Sequence, residues 1–89
     1  MLNHFMLVGK YKGIENNRIA IAVKENKFVN GRFVSSDTII KVDCGDLLKK
    51  IGDVFFENVP KECTIASSGS IECYSNGIMR LNAERVVFL

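Results

Sequence analysis

The clearest periodicity in this chain is two. In RIAIAVKENKFV the branched residues Ile19, Ile21 and Val23 fall on one face of a strand, and Arg18, Ala20, Ala22 and Lys24 fall on the other. The two alanines leave that second face low and flat. Ahead of it, residues 4–11 within MLNHFMLVGKY predict a first strand. KGIENN, with Gly13 and two asparagines, predicts the turn between the two. Behind it, Asn30-Gly31 signals a hairpin, because a type I′ turn needs φ > 0 at both central residues. Phe28-Val29 and Arg32-Phe33-Val34 flank that tip. The third strand resumes near Asp37 and runs through TIIKVDC. Ile40, Val42 and Cys44 share one of its faces, and Ile39, Lys41 and Asp43 share the other.

The period changes at residues 46–57, DLLKKIGDVFFE, where Leu47, Leu48, Ile51, Val54 and Phe55 form one helical stripe. Asp46 is the expected N-cap. Gly52 weakens the helix by about 1 kcal/mol relative to alanine, and Pro60 ends it. ECTIASSGSIECYS is a fourth strand with Gly69 inside it, a mark of a bulge or a barrel corner. Asn76-Gly77 gives a second hairpin signal, and IMRLNAERVVFL is a fifth strand. The expected class is all-β: five strands with one helix between the third and fourth. That is the order of the OB-fold, a Greek-key barrel used widely for oligonucleotides. The rival SH3-like barrels do not usually place an amphipathic helix there.

A length of 89 residues sets the expectation of one domain, 1–89. Its hydrophobic content of 47% allows a core, but a domain of this size is marginal alone, and oligomerisation is a common remedy. The opening apolar run is far shorter than the roughly 20 residues of a membrane span and has no basic region before it, so neither a membrane segment nor a signal peptide is expected. Cys44, Cys63 and Cys73 are odd in number and form no CxxC pair. A reduced, cytoplasmic setting fits better than a disulfide framework, and with His4 their spacing does not suit a zinc site. No metal or cofactor is expected.

The formal net charge is only +2, but it is unevenly spread. Residues 1–36 carry six basic and two acidic side chains, a net of +4; residues 37–89 carry six and eight, a net of −2. A basic first half can face a polyanion, although an inert uneven surface has the same signature. One histidine, no nucleophile with a partnered base and no GxxxxGK loop argue against an enzyme.

At this point the residues also resemble a family. Asn3, Leu7, Val8, Gly9 and Lys10 follow the N-x-x-x-L-V-G-basic opening of bacterial single-stranded DNA-binding proteins. Ala83, Glu84, Val86, Phe88 and Leu89 are similar to the A-D-x-V-x-F-L close of that family. IASSGSIECYSNGI resembles its fourth strand, with Gly69 and Asn76-Gly77 at matching places. The resemblance implies a non-catalytic protein of replication, recombination or repair that binds single-stranded nucleic acid, DNA before RNA, without sequence preference. It also implies a homo-oligomer, dimer or tetramer. The sequence departs from the family in having no tryptophan. It ends at Leu89, so the acidic recruiting tail of the family's long members is expected to be absent. These departures leave a second reading, an OB-fold protein-interaction module of a replication or primosome complex with little nucleic-acid binding.

Binding a single strand without sequence preference needs a positive groove and exposed aromatic faces. The candidates for the groove are Lys10, Lys12, Arg18, Lys24, Lys27 and Arg32, with Lys41 and Arg80 behind them. The stacking candidates are Tyr11, Phe28, Phe33 and Tyr74. Phe28 and Phe33 flank a polar tip, which points equally to base stacking and to an oligomer contact. Tyr11 either stacks or caps the barrel. Phe5, Phe55, Phe56 and Phe88 are expected in the core.

Overall fold

The computed structural model describes residues 3–56 and 58–89. Its strands are β1 (His4–Glu15), β2 (Arg18–Val29), β3 (Arg32–Asp43), β4 (Thr64–Cys73) and β5 (Met79–Phe88). Helix α1 (Gly45–Ile51) and a 3₁₀ turn (Asp53–Phe56) lie between β3 and β4. The sheet closes into a barrel in the order β1-β2-β3-β5-β4, with β4 pairing back onto β1. This is the all-β, five-stranded barrel with an inserted helix that the sequence predicts.

Three boundaries differ from expectation, each for a local reason. KGIENN is not a six-residue turn. Asn16 and Asn17 both take positive φ, 52° and 64°, and close a two-residue hairpin by themselves. β1 therefore runs on to Glu15, crossing a register shift between Tyr11 and Gly13, where Gly13 sits at φ 123°. β3 does not wait for Asp37. With Asn30 and Gly31 at φ 51° and 77°, the β2–β3 ladder pairs every residue from Val29–Arg32 to Arg18–Asp43.

The helix is the third difference. Asp46 is not its cap: Cys44 holds that position, and Asp43 Oδ1 accepts the Gly45 N–H at 2.9 Å. Asp46 falls in the first turn, where its charge suits the helix dipole. Gly52, at φ 84°, ends the helix and donates its N–H to the Leu48 carbonyl. That break rotates the following turn, so Phe56 becomes buried while Phe55 and Ile51 stay exposed. Among the described side chains of the predicted stripe Leu48 alone is buried, with Leu47 packed beside it. The side chain of Val54, and Glu57 at the predicted helix end, lie outside the described residues.

Ile19, Ile21, Val42, Cys44 and Ile65 are completely buried. Each buried aliphatic side chain of this size stabilises the fold by about 1.5–3 kcal/mol relative to exposure. Tyr11, Leu48, Phe56 and Ala83 complete the core. The Tyr11 ring stands edge-on to Phe88 at 5.7 Å and stacks on Phe56 at 6.1 Å. Of the four phenylalanines expected in the core only Phe56 is inside it; Phe5 and Phe88 are half-buried at its border, and Phe55 contacts both Phe56 and Phe88 but remains on the surface. Gly69 marks a bulge, as its place in the sequence suggests: the β4–β5 register shifts between Ser68 and Gly69. A Cβ there would collide with the Asn82 carbonyl oxygen, so only glycine permits this approach of the two strands.

Candidate nucleic-acid interface

Alternation along the β2–β3 ladder sorts the candidate residues onto two faces. Ile19, Ile21 and Val42 point inward, so the rungs between them point out. From the barrel end these outward rungs are Arg18–Asp43, Ala20–Lys41, Ala22–Ile39, Lys24–Asp37, Asn26–Ser35 and Phe28–Phe33. Lys10 pairs with Ala22 on the neighbouring strand and extends this face onto β1. Lys10, Arg18, Lys24, Phe28, Phe33 and Lys41 thus share one surface. Lys27 pairs with Val34 and Arg32 with Val29, which places both cations on the reverse face of the hairpin. The structure does not bring them to the groove with the others.

The low alanines make a floor. A shallow groove is lined by Lys12, Arg18, Ala20, Lys41 and Lys61. It shares Arg18 and Lys41 with a longer depression that passes Ile39, Tyr74, Ile78, Met79 and Arg80. Ile39, Ile78 and Met79 are all more than half exposed, an apolar strip beside the cations. Lys61 was missed by the sequence reading; it follows Pro60 outside any strand, and only the close pass of that segment over Gly13 brings it in.

Several of these groups already have partners on the chain. Arg80 donates to Asp43 Oδ2 at 2.5 Å. Burial alone would raise the Asp43 carboxyl; the Gly45 N–H and the Arg80 guanidinium outweigh it and hold it below its ordinary value. The neighbouring Tyr74, and then the pairing with Asp43, raise the Arg80 guanidinium above its ordinary value. The Tyr74 hydroxyl donates to Glu72 at 3.0 Å, and the Asn82 amide donates to the same carboxylate at 2.6 Å. Tyr74 keeps 45% of its surface exposed. Lys12 pairs with Glu62, whose carboxyl it lowers, and Lys27 lies 3.7 Å from Glu25. Such exposed pairs are weak and screened by salt.

Tyr11 is removed from the set of stacking residues: it is 2% exposed, and burial raises its hydroxyl, with Cys63 and Cys44 adding to the shift. The expectation that it stacks a base fails because the register of β1 against β2, Tyr11 opposite Ile21, turns it inward. Among the described residues no group of three or more His, Cys, Asp or Glu is gathered to hold a metal. Nor is any described helix long and apolar enough to cross a membrane.

No family model matches the sequence, and no curated protein matches it significantly. Solved structures do match in three dimensions. A small single-stranded DNA-binding protein from Streptomyces coelicolor aligns over 99% of this chain and 94% of its own, with TM-score 0.62 and 10% identity. A mitochondrial single-stranded DNA-binding protein from S. cerevisiae aligns over 100% and 95%, at 0.55 and 12%. An SSB from Plasmodium falciparum in complex with ssDNA aligns over 100% and 96%, at 0.50 and 18%. At these identities the likeness is one of fold, and it spans the whole barrel with its inserted helix and its hairpin.

Proposed function

We propose that this protein binds single-stranded DNA, without sequence preference and without catalysis, on the outward face of β1–β3. The observation that carries the reading is the row Arg18, Lys41, Lys24 and Lys10 around the low floor of Ala20 and Ala22. A strand of phosphates can lie along such a row, and the bases then meet Ile39, Met79 and Tyr74. The structural likeness to single-stranded DNA-binding proteins supports the same reading. Replication, recombination or repair in the cytoplasm is the setting that suits such a protein. Phe28, Phe33, Lys27 and Arg32 are not needed for this contact.

A homo-oligomer belongs to the same proposal. Met6, Val8 and Val87 form an exposed apolar stripe across β1, β4 and β5, which at Val8 adjoins Lys10, Ala22 and Lys24. A second copy covering that stripe would leave the groove of Arg18, Lys41, Tyr74 and Met79 open.

The test is fluorescence anisotropy with labelled oligo-dT and a blunt duplex at two salt concentrations. Tighter binding to oligo-dT, falling as salt rises, supports the reading. The double change Arg18→Gln and Lys41→Gln should weaken binding and reduce the salt slope by about 1.4, since each phosphate contact to a single strand contributes about 0.7. Absence of binding at low salt would sink it and favour the protein-interaction module.

A further inference from the structure

The β2–β3 hairpin continues well past the barrel. From Lys24 to Ser36 every residue of both strands is exposed, with Asn30-Gly31 at the tip. Two features of this arm have no use in holding one strand on the β1–β3 face. Phe28 and Phe33 form a cross-strand pair, 67% and 80% exposed, with ring centroids 5.1 Å apart and planes at 66°. Steeply inclined rings cannot both lie parallel to successive bases of one stack. One can cap a flat apolar surface while the other buttresses it. The second feature is charge. Between Asn26 and Ser36 the only charged side chains are Lys27 and Arg32, and both stand on the reverse face from the aromatic pair. A single strand lying on the outward face passes them by.

We infer that the arm is a wedge for the junction between single-stranded and duplex DNA. The broadest flat apolar surface of a nucleic acid is the terminal base pair where two strands part, and Phe33, buttressed by Phe28, caps it. One strand then follows the outward rungs from Phe28–Phe33 toward Arg18–Asp43. That run of ten residue steps spans about 33 Å. The other strand leaves on the reverse face, where Lys27 and Arg32 meet its phosphates. An arm with rings on one side and cations on the other fits two diverging strands; it does not fit one. Apolar side chains inserted at base steps are an established way for proteins to engage duplex DNA.

The inference rests on the single-strand reading of the β1–β3 face, and the experiment separates the two. Anisotropy is measured with three probes: a forked duplex with two oligo-dT arms, an oligo-dT of one arm's length, and a blunt duplex. The fork should bind about tenfold tighter than oligo-dT, as one added stacking contact gives. The double change Phe28→Ala and Phe33→Ala should abolish that gain and leave oligo-dT binding within about twofold. Lys27→Gln with Arg32→Gln should lower fork affinity and flatten its salt slope alone. A 2-aminopurine in the terminal pair should change its fluorescence with the native protein and not with the Phe28, Phe33 variant. Equal binding of fork and oligo-dT, or equal losses on both probes, overturns the wedge and leaves the single-strand reading standing. Binding to none of the probes overturns both.

Discussion

β2 and β3 are one continuous ladder, yet its two halves obey different rules. In the barrel half one face is covered: Ile19 and Ile21 are sealed while Arg18 lies open. In the arm half alternation of burial stops at Lys24, and neither face is covered. The same backbone pairing runs through both. Packing holds the first half, whereas the second is held by its ladder and by an Asn-Gly turn. A core therefore explains the apolar residues of the barrel half and cannot explain Phe28, Val29, Phe33 and Val34. Large apolar side chains kept in water at the end of a projecting hairpin point to contact with something else.

The largest effect that tests this contrast is on stability. Ile21→Ala should lower unfolding free energy by about 2–5 kcal/mol in urea titration. Phe33→Ala should lower it by no more than about 1 kcal/mol, the worth of a cross-strand pair. A Phe33→Ala loss as large as that of Ile21→Ala would show the arm to be packed in solution, against another copy.

Thiol reactivity sharpens the comparison between buried and open ends. Cys44 is sealed, and burial pushes its thiol up to about 11; Cys73, at the end of β4, is exposed. Iodoacetamide at pH 8 should modify Cys73 quickly and Cys44 only on unfolding, read by mass spectrometry. Early labelling of Cys44 would mean that the barrel opens far more often than its packing implies.

The smallest expected effect is on pH dependence. Asp43 is held below its ordinary value of 3.8, so its contribution to stability is present above that value and lost as pH falls through the lower native one. Asp43→Asn should flatten the fall in stability through that window. In oligo-dT binding it should also raise affinity modestly, because Arg80 and the neighbouring Arg18 lose a competing carboxylate. Unchanged acid unfolding would show that Asp43 has no net partner in solution.

Much of this fold was legible because alternation and turn chemistry are local. Ile19, Ile21 and Val23 announce a strand by spacing alone, and Asn30-Gly31 announces its own turn. Asn16-Asn17 was blurred because Gly13 nearby looked like part of the turn, when it serves a bulge that no spacing rule reveals. The helix was over-extended because a stripe ignores where a glycine breaks the axis. The candidate site was half legible. Charge type is written in the sequence, but which cations share a face depends on strand parity, which separates Lys24 from Lys27 three residues on, and on the register that sets Lys10 beside Ala22. Tyr11 was ambiguous for the same reason: strand parity, which the bulge disturbs, decides whether its ring faces the core or a ligand.

The barrel is closed unequally. β4 and β5 match along most of their length, while β3 and β5 meet in parallel at the single pair Asp43–Asn82, beside the Asp43–Arg80 contact. A hoop with one thin joint yields there first. Amide exchange at Asp43 and Asn82 should therefore report a lower opening free energy than at Ile21 or Ser67, and the interior is reached by parting one joint rather than by unfolding the ring.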